Sequence, residues 1–176
     1  MSTKIMTALF IIANVGYQDR EYLVPKELFE TAGIQVTTAA KKKGICQGSM
    51  GSTAKALALT DIIETQFDII ILIGGPGSAS YQKDALVHNL AHHQIENKKI
   101  LAAICLAPTI LAYAGVLKGK KATVWNLDSR QHKILTDHGA TFTNETVTTD
   151  GKIVTANGPM AAETFATTIL KILGKK

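Results

Sequence analysis

The sequence contains few cysteines, few aromatic residues and no long hydrophobic run, and each shortage narrows the class of protein. Its two cysteines, Cys46 and Cys105, do not stand in a Cys-x-x-Cys or Cys/His spacing, so a structural zinc site is not expected. Aromatic residues make up 6% of the chain, which argues against a surface that stacks single-stranded nucleic acid bases. No apolar run approaches the roughly 20 residues that a membrane-spanning helix needs, so no membrane partner is expected.

Clustered charge and a signal segment are missing as well. The formal net charge is +5, but the basic residues are dispersed, apart from lysines at 41–43 and 175–176 that suit a solvated turn and tail. This is not the basic stripe of a nucleic-acid-binding protein, and no nucleic-acid partner is expected. The first residues lack the cleavage site of a signal peptide. We therefore expect a cytoplasmic protein, in which thiols stay reduced.

The chain does have the size and composition of a globular domain. Its 176 residues are 46% hydrophobic and 19% charged, which is enough to bury a core without disulfides or metal ions. We expect one domain over residues 1–176.

Hydrophobic runs and helical patterns alternate along the chain. Buried strands are predicted at 6–13, 34–40, 68–73, 100–104 and 122–125, and helices at 21–31, 84–96, 108–114, 128–138 and 159–173. Asp19 is the predicted cap of the first helix. The glycine-rich stretch from 44 is interpreted as turns followed by a short strand at 56–59 and a short helix at 61–65, and 146–156 as a hairpin turning at Asp150-Gly151.

This alternation predicts an α/β fold. We expect a mostly parallel sheet with helices on both faces and a late antiparallel hairpin. Such sheets bind ligands at the carboxyl ends of their strands, so the residues that follow the predicted strands are the candidates for a site.

Cys105 is the main candidate. It follows a buried strand directly, and Pro108 three residues later suits the first turn of a helix. At such a turn the helix N-terminus favours a thiolate, and backbone N–H groups could hold an oxyanion. The alternative is that Cys105 is an inert core residue, because free cysteines are often buried.

Two further segments lie at the same edge. Residues 74–77, Gly-Gly-Pro-Gly, end a strand and could let backbone approach the cysteine, although a plain tight turn is the alternative. Glu21 begins the first helix. If it keeps a proton it could donate a hydrogen bond to a thiolate, and if it is ionised it could act as a base or raise the pKa of the thiol by like-charge repulsion. The alternative for Glu21 is a carboxylate that only stabilises the helix dipole.

Four segments together resemble the DJ-1/PfpI (ThiJ/PfpI) superfamily. They are the cysteine turn at 100–120, the segment Tyr-Gln-Asp-Arg-Glu at 17–21 with Pro25, the glycine turn at 71–77, and the hairpin at 150–156 with Gly158-Pro159. The resemblance spans essentially the whole chain.

The resemblance implies a flavodoxin-like fold and a cofactor-free site without metal. It implies that Cys105 is the nucleophile, that Glu21 is the protonated partner of its thiolate, and that the backbones of Gly75 and Leu106 bind an oxyanion, with Gly74 lining the site. It also implies a homodimer. Activities reported in the family include glyoxalase, deglycase and peptidase reactions, chaperone action and redox sensing.

At two positions the chain lacks a histidine that branches of the family carry, and this narrows the range of expected activities. The protease-like branch places a histidine directly after the cysteine, where this chain has Leu106, so a Cys-His peptidase is disfavoured. The branch resembling DJ-1 carries a histidine in the segment that here spans 123–126, and Trp125 replaces it in lining the site. We therefore expect chemistry on small reactive carbonyls by Cys105 and Glu21, with redox sensing or chaperone-like action through Cys105 oxidation as the alternative.

Three other residues are secondary candidates. His88 and His92 stand four residues apart on a predicted helix and could share a metal, but no third ligand is evident, so surface histidines are the simpler interpretation. Cys46 is interpreted as non-catalytic, exposed in the turn region and open to oxidation.

Overall fold

The computed structural model describes residues 5–175. Its strands are β1 (Thr7–Ile11), β2 (Val15–Tyr17), β3 (Gln35–Ala40), β4 (Gly44–Gly48), β5 (Thr53–Ala58), β6 (Ile69–Leu72), β7 (Ile100–Ile104), β8 (Lys121–Ala122), β9 (Thr141–Phe142), β10 (Val147–Asp150) and β11 (Ile153–Ala156). Its α-helices are α1 (Asp19–Thr31), α2 (Ala85–Glu96), α3 (Pro108–Tyr113), α4 (Gln131–Asp137) and α5 (Ala162–Ile172). None of these helices is long and apolar enough to cross a bilayer.

A mostly parallel sheet organises the chain. Among the described residues, nine strands join in the order β10-β11-β7-β6-β1-β3-β5-β4-β2. The pairs β1–β3, β1–β6, β6–β7 and β7–β11 are parallel, and β10–β11 is the late antiparallel pair. The predicted fold class is therefore confirmed.

The central strands are buried on both faces, which explains their continuous apolar sequences. Every residue of β6 and β7 is buried. Alternate side chains point to opposite faces, so Phe10 packs into one core with Phe29 and Phe165, while Leu9 packs into another with Leu111. Helices cover both faces, and the carboxyl ends of β1, β6 and β7 meet at one edge.

Tertiary pairing changes the predicted element boundaries in the first half of the chain. The stretch from 44 forms an antiparallel pair, β4 with β5, and β2 adds beside β4. The predicted turns there, the strand limited to 56–59 and the helix at 61–65 are wrong, because alternation of small buried and exposed polar residues is a weak strand signal. Two 3₁₀ turns, Leu59–Asp61 and Glu64–Gln66, replace that helix.

Two elements in the second half are also shorter than predicted. Residues 122–125 do not form a central strand, because only Lys121–Ala122 pairs, with Thr141–Phe142 in a separate small sheet. Beyond it, the backbone N–H of Thr123 donates to Thr155 Oγ1 at 2.9 Å. The helix predicted over 128–138 is limited to Gln131–Asp137.

The cap of α1 differs from the prediction. Gln18 is the cap, and its Oε1 accepts from the Glu21 N–H at 3.0 Å. Asp19 is the first helical residue instead, and its carboxylate accepts from the N–H groups of Met50 at 2.8 Å and Ser52 at 2.7 Å. The side chain predicted to cap the helix therefore ties α1 to the β4–β5 loop, while Gln18 orients the turn that carries Glu21.

Candidate active site

Cys105 lies at the sharp turn between β7 and α3. Its φ of 64° falls in the left-handed region, which a residue other than glycine adopts only when its surroundings hold it there. Those surroundings are hydrogen bonds on both sides, since the Cys105 N–H donates to the Ala156 carbonyl and the Cys105 carbonyl accepts from the Trp125 N–H, both at 2.9 Å. These two hydrogen bonds hold Cys105 in its strained conformation at the carboxyl end of β7.

The Glu21 carboxyl reaches the same point from the first turn of α1. Its side chain is fully buried, and Oε2 accepts a hydrogen bond from the Gly74 N–H at 3.0 Å. No hydrogen bond to Oε1 is found within residues 5–175, so this oxygen is available to carry a proton. The carboxyl also interacts with the Cys105 thiol.

The glycine turn after β6 closes the site. A Cβ atom on Gly74 would lie 2.6 Å from the Cys105 Cβ and 2.7 Å from Glu21 Oε2, so only glycine fits between the Cys105 and Glu21 side chains. Gly75 has a φ of 101°, and its N–H and that of Leu106 act to lower the pKa of the Cys105 thiol. The structure thus brings together five of the six predicted site residues: Cys105, Glu21, Gly74, Gly75 and Leu106.

Burial controls the protonation of the Cys105–Glu21 pair. It raises the pKa of Glu21 to about 8, against smaller opposing effects of Cys105 and the Gly74 N–H, so the carboxyl keeps its proton at neutral pH. Burial and the Glu21 carboxyl raise the pKa of the Cys105 thiol, whereas the two N–H groups lower it. The pKa-lowering effect expected from a helix terminus is therefore not the dominant one.

When the Glu21 carboxyl is protonated, only burial disfavours the Cys105 thiolate, because the charge repulsion from a carboxylate is gone. A neutral carboxyl does not repel a thiolate, and its O–H can donate a hydrogen bond to the sulfur. The two groups share protons as one coupled unit.

Trp125 contacts the cysteine turn through its backbone, and its ring lines a neighbouring pocket. The ring packs on Gly158, where an added Cβ would lie 2.7 Å from Trp125 Cε3. The ring lines a pocket of about 350 Å³, and Cys105 is not among the pocket walls. The sixth predicted residue thus borders a pocket that Cys105 does not line.

The secondary candidates lie elsewhere. Cys46 is fully buried on β4, with the Asn14 amide 3.5 Å from its sulfur, so the prediction of an exposed, oxidisable thiol is wrong. His88 Nε2 lies 2.9 Å from the Gln82 carbonyl oxygen. Across residues 5–175, no group of three or more potential metal ligands occurs.

The sequence interpretation missed three side chains near the site. Gln18 caps α1, and its N–H donates to the Gly74 carbonyl at 3.0 Å. Arg20 Nε donates to the Pro159 carbonyl at 3.1 Å, which links α1 to the segment before α5. Asn126 bonds to His132. The position of Gln18 and Arg20 beside Glu21 was the only signal in the sequence that could have indicated them.

The chain is similar in sequence and in structure to proteins of one family. The sequence profile of the DJ-1/PfpI family matches residues 6–172. Protein dj-1beta of Drosophila melanogaster is 32% identical over 174 residues, covering 97% of this chain and 90% of that protein. Its crystal structure superposes with a TM-score of 0.89 at 29% identity, over 98% of this chain and 92% of the other.

Two further relatives have names that state an activity. Deglycase PfpI of Pyrococcus furiosus is 30% identical over 155 residues, covering 88% of this chain and 91% of the relative. Glutathione-independent glyoxalase DJR-1.2 of Caenorhabditis elegans is 24% identical over 168 residues, covering 95% of this chain and 88% of that protein.

Proposed function

Because the chain belongs to the DJ-1/PfpI family, we propose that it acts on small reactive carbonyl compounds through Cys105, as a glyoxalase or deglycase. The observation that carries the proposal is the close approach of Glu21 to Cys105 at Gly74, where an added Cβ would lie 2.6 Å from the Cys105 Cβ and 2.7 Å from Glu21 Oε2. The Glu21 carboxyl and the N–H groups of Gly75 and Leu106 all influence the pKa of this thiol. The names of the two relatives, a deglycase and a glyoxalase, support the same class of reaction.

The chemistry begins with loss of the Cys105 thiol proton to solvent and addition of the resulting thiolate to an aldehyde carbon. An S–C bond forms, and the electron pair of the C=O double bond moves to the oxygen. The N–H groups of Gly75 and Leu106 stabilise the developing negative charge, and Glu21 supplies a proton to give a neutral thiohemiacetal.

With methylglyoxal, the next steps are an internal redox exchange. Glu21, now ionised, takes the proton from the former aldehyde carbon to give an enediolate. Glu21 then returns this proton to the neighbouring ketone carbon, whose oxygen gains the proton of the first hydroxyl, so that the ketone becomes an alcohol while the first carbon becomes a thioester. Water then cleaves the S–C bond, releasing lactate and the thiol. One water is added overall and no external oxidant or reductant is needed, so the residues of this site suffice.

The test is lactate formation from methylglyoxal by the purified protein. Cys105→Ser should lower turnover to the uncatalysed rate, while Cys46→Ala, which changes the other buried thiol, should retain it. Absence of lactate above the Cys105→Ser level would reject the proposal.

A second candidate function is redox sensing through oxidation of Cys105. The same carboxyl and N–H groups could hold a sulfinate formed by peroxide, and the buried Cys46 lacks such partners apart from Asn14. Mass spectrometry after mild peroxide treatment should find oxidation at Cys105 before Cys46. Equal oxidation of both thiols would count against it. A peptidase ranks third, because Leu106 cannot transfer a proton.

We also propose that the protein is a homodimer in the cytoplasm. The outer face of β2, β4 and β5 carries the exposed apolar side chains Val15, Ile45 and Leu57, with Val15 68% and Ile45 66% exposed, which suits an interface. Light scattering should give twice the chain mass, and Ile45→Glu should give a monomer. Leu86→Glu on α2 is the control, and a monomeric wild-type protein would refute the dimer.

A further inference from the structure

The pocket beside Trp125 has a composition that the reaction at Cys105 does not explain. Its volume is about 350 Å³, within the range of sites for drug-sized ligands. It is lined by Val124, Trp125, Asn126, Leu127, Asn144, Asn157, Gly158, Pro159 and Met160. None of these residues is ionisable, and three are asparagines.

The amide of Asn126 has a fixed orientation. Its Oδ1 lies 3.1 Å from the backbone N–H of His132 and 3.0 Å from the ring Nδ1 of the same residue. Because a backbone N–H can only donate, the atom it meets must be the amide oxygen. The NH₂ group of Asn126 is therefore left as a hydrogen-bond donor at the pocket wall.

The other two asparagines leave their amides available. Within residues 5–175, the side chains of Asn144 and Asn157 make no hydrogen bond to the protein. Each amide offers a carbonyl oxygen and an NH₂ group. The pocket thus combines neutral donors and acceptors with apolar walls from Trp125, Pro159 and Met160.

The pocket is joined directly to the cysteine turn. The Trp125 N–H donates to the Cys105 carbonyl, and the Cys105 N–H donates to Ala156, two residues before Gly158. Trp125 and Gly158 both line the pocket and pack ring on backbone. The pocket wall is thus hydrogen-bonded to the backbone of the proposed nucleophile, which makes it the candidate site for the part of a substrate that does not react.

We propose that this pocket binds the neutral, polyhydroxylated tail of an α-ketoaldehyde substrate, a sugar-derived dicarbonyl larger than methylglyoxal. Hydroxyl groups both donate and accept, which matches the three amides, and the absence of ionisable lining residues disfavours phosphorylated or carboxylated tails. The pocket volume is roughly ten times the ~30 Å³ of liquid volume per water molecule, so methylglyoxal does not fill it. This inference rests on the proposed carbonyl chemistry for the substrate, but the binding step can be tested without it.

The binding test uses the fluorescence of Trp125, which is the only tryptophan of the chain. In the Cys105→Ser protein, D-xylose should change the emission saturably, and Asn126→Asp in the same background should weaken this binding at least fivefold. Asn89→Asp, on an exposed part of α2, is the matched control and should bind like the parent. A linear or absent response to D-xylose, or equal binding by the Asn126 variant, would overturn the proposal.

The kinetic test compares two substrates with the same reacting group, methylglyoxal and 3-deoxyglucosone, which has a neutral polyhydroxylated tail. Asn126→Asp should lower the ratio of kcat/KM for 3-deoxyglucosone to kcat/KM for methylglyoxal at least tenfold. An unchanged ratio would refute the role of the pocket. If neither substrate is converted, the proposed carbonyl chemistry fails, while the D-xylose titration still decides whether the pocket binds a sugar.

Discussion

The two cysteines, Cys46 and Cys105, are both buried but differ in backbone conformation and in the groups around the sulfur. Both are buried, Cys46 completely and Cys105 with 6% of its surface exposed. Cys46 lies in a regular strand, where burial raises the pKa of its thiol against the opposing effect of Asn14. Cys105 lies at a strained turn beside Glu21 and two N–H groups.

Burial alone does not set the protonation around a cysteine. It raises the thiol pKa at both sites, but at Cys105 it also raises the pKa of Glu21 to about 8. A carboxyl that keeps its proton can serve the sulfur as an acid, whereas the described partner of Cys46 is the Asn14 amide.

Removing the acid should have the largest effect. Glu21→Gln keeps the size of the side chain but cannot transfer a proton, so turnover of methylglyoxal should fall about 10²- to 10⁴-fold, the usual contribution of a general acid or base. The measurement is kcat on folded protein, checked by circular dichroism. As a control, Glu27→Gln on the exposed face of α1 should keep full activity, and a Glu21 variant with full activity would remove the distinction between the two thiols.

Crowding the site should have the next largest effect. Gly74→Ala introduces a Cβ between Cys105 and Glu21, so we expect a loss of activity of about tenfold or more, as misplaced groups lose the geometry for reaction. Gly33→Ala is the control, because an alanine Cβ there would meet no atom within 4 Å, although the φ of 76° at Gly33 strains an alanine. Similar activity in the two variants would show that the spacing at Gly74 does not matter.

The difference in alkylation rate between the two thiols should be smaller than the losses of activity predicted for Glu21→Gln and Gly74→Ala. Iodoacetamide should modify Cys105 at least several-fold faster than Cys46, because a Glu21 carboxyl that keeps its proton can donate a hydrogen bond to a Cys105 thiolate, whereas the described partner of Cys46 is the Asn14 amide. Peptide mass spectrometry across a pH series measures both rates in one sample. If Cys46 reacts as fast as Cys105, the turn does not activate its cysteine.

The smallest effect should appear in the pH dependence of stability. The folded-state pKa of Glu21 is raised from its ordinary 4.5 to about 8, so between these values the unfolded chain releases a proton that the folded chain keeps. The associated stability is therefore present below pH 4.5 and is lost as pH rises through about 8. The Tm should fall by a few degrees over this window.

Glu21→Gln is the control for this Tm series. It removes the titrating group and should flatten the fall, while every other titrating residue is retained. A wild-type Tm that falls no more than that of Glu21→Gln would show that Glu21 is ionised in the folded protein.

Much of the arrangement around Cys105 could be predicted from the sequence. A buried run ending at Cys105, a glycine turn after another run and a glutamate at the start of a helix are local signals, and parallel strands bring their carboxyl ends to one edge. The surroundings of Cys46 could not be predicted in the same way. Its strand is recognisable only through its pairing with β5, because the alternation of small and polar residues there resembles a loop.

Local sequence patterns were enough to predict the α/β fold, the turn that holds Cys105 and the lack of a histidine at Leu106 and Trp125. Only the folded chain shows which oxygen of Glu21 has no hydrogen-bond partner among the described residues, why Gly74 must lack a side chain, and that Asn126, Asn144 and Asn157 share a pocket. Local patterns specify strands and turns, whereas pKa values, close approach and pocket chemistry depend on residues far apart in the chain that meet only after folding.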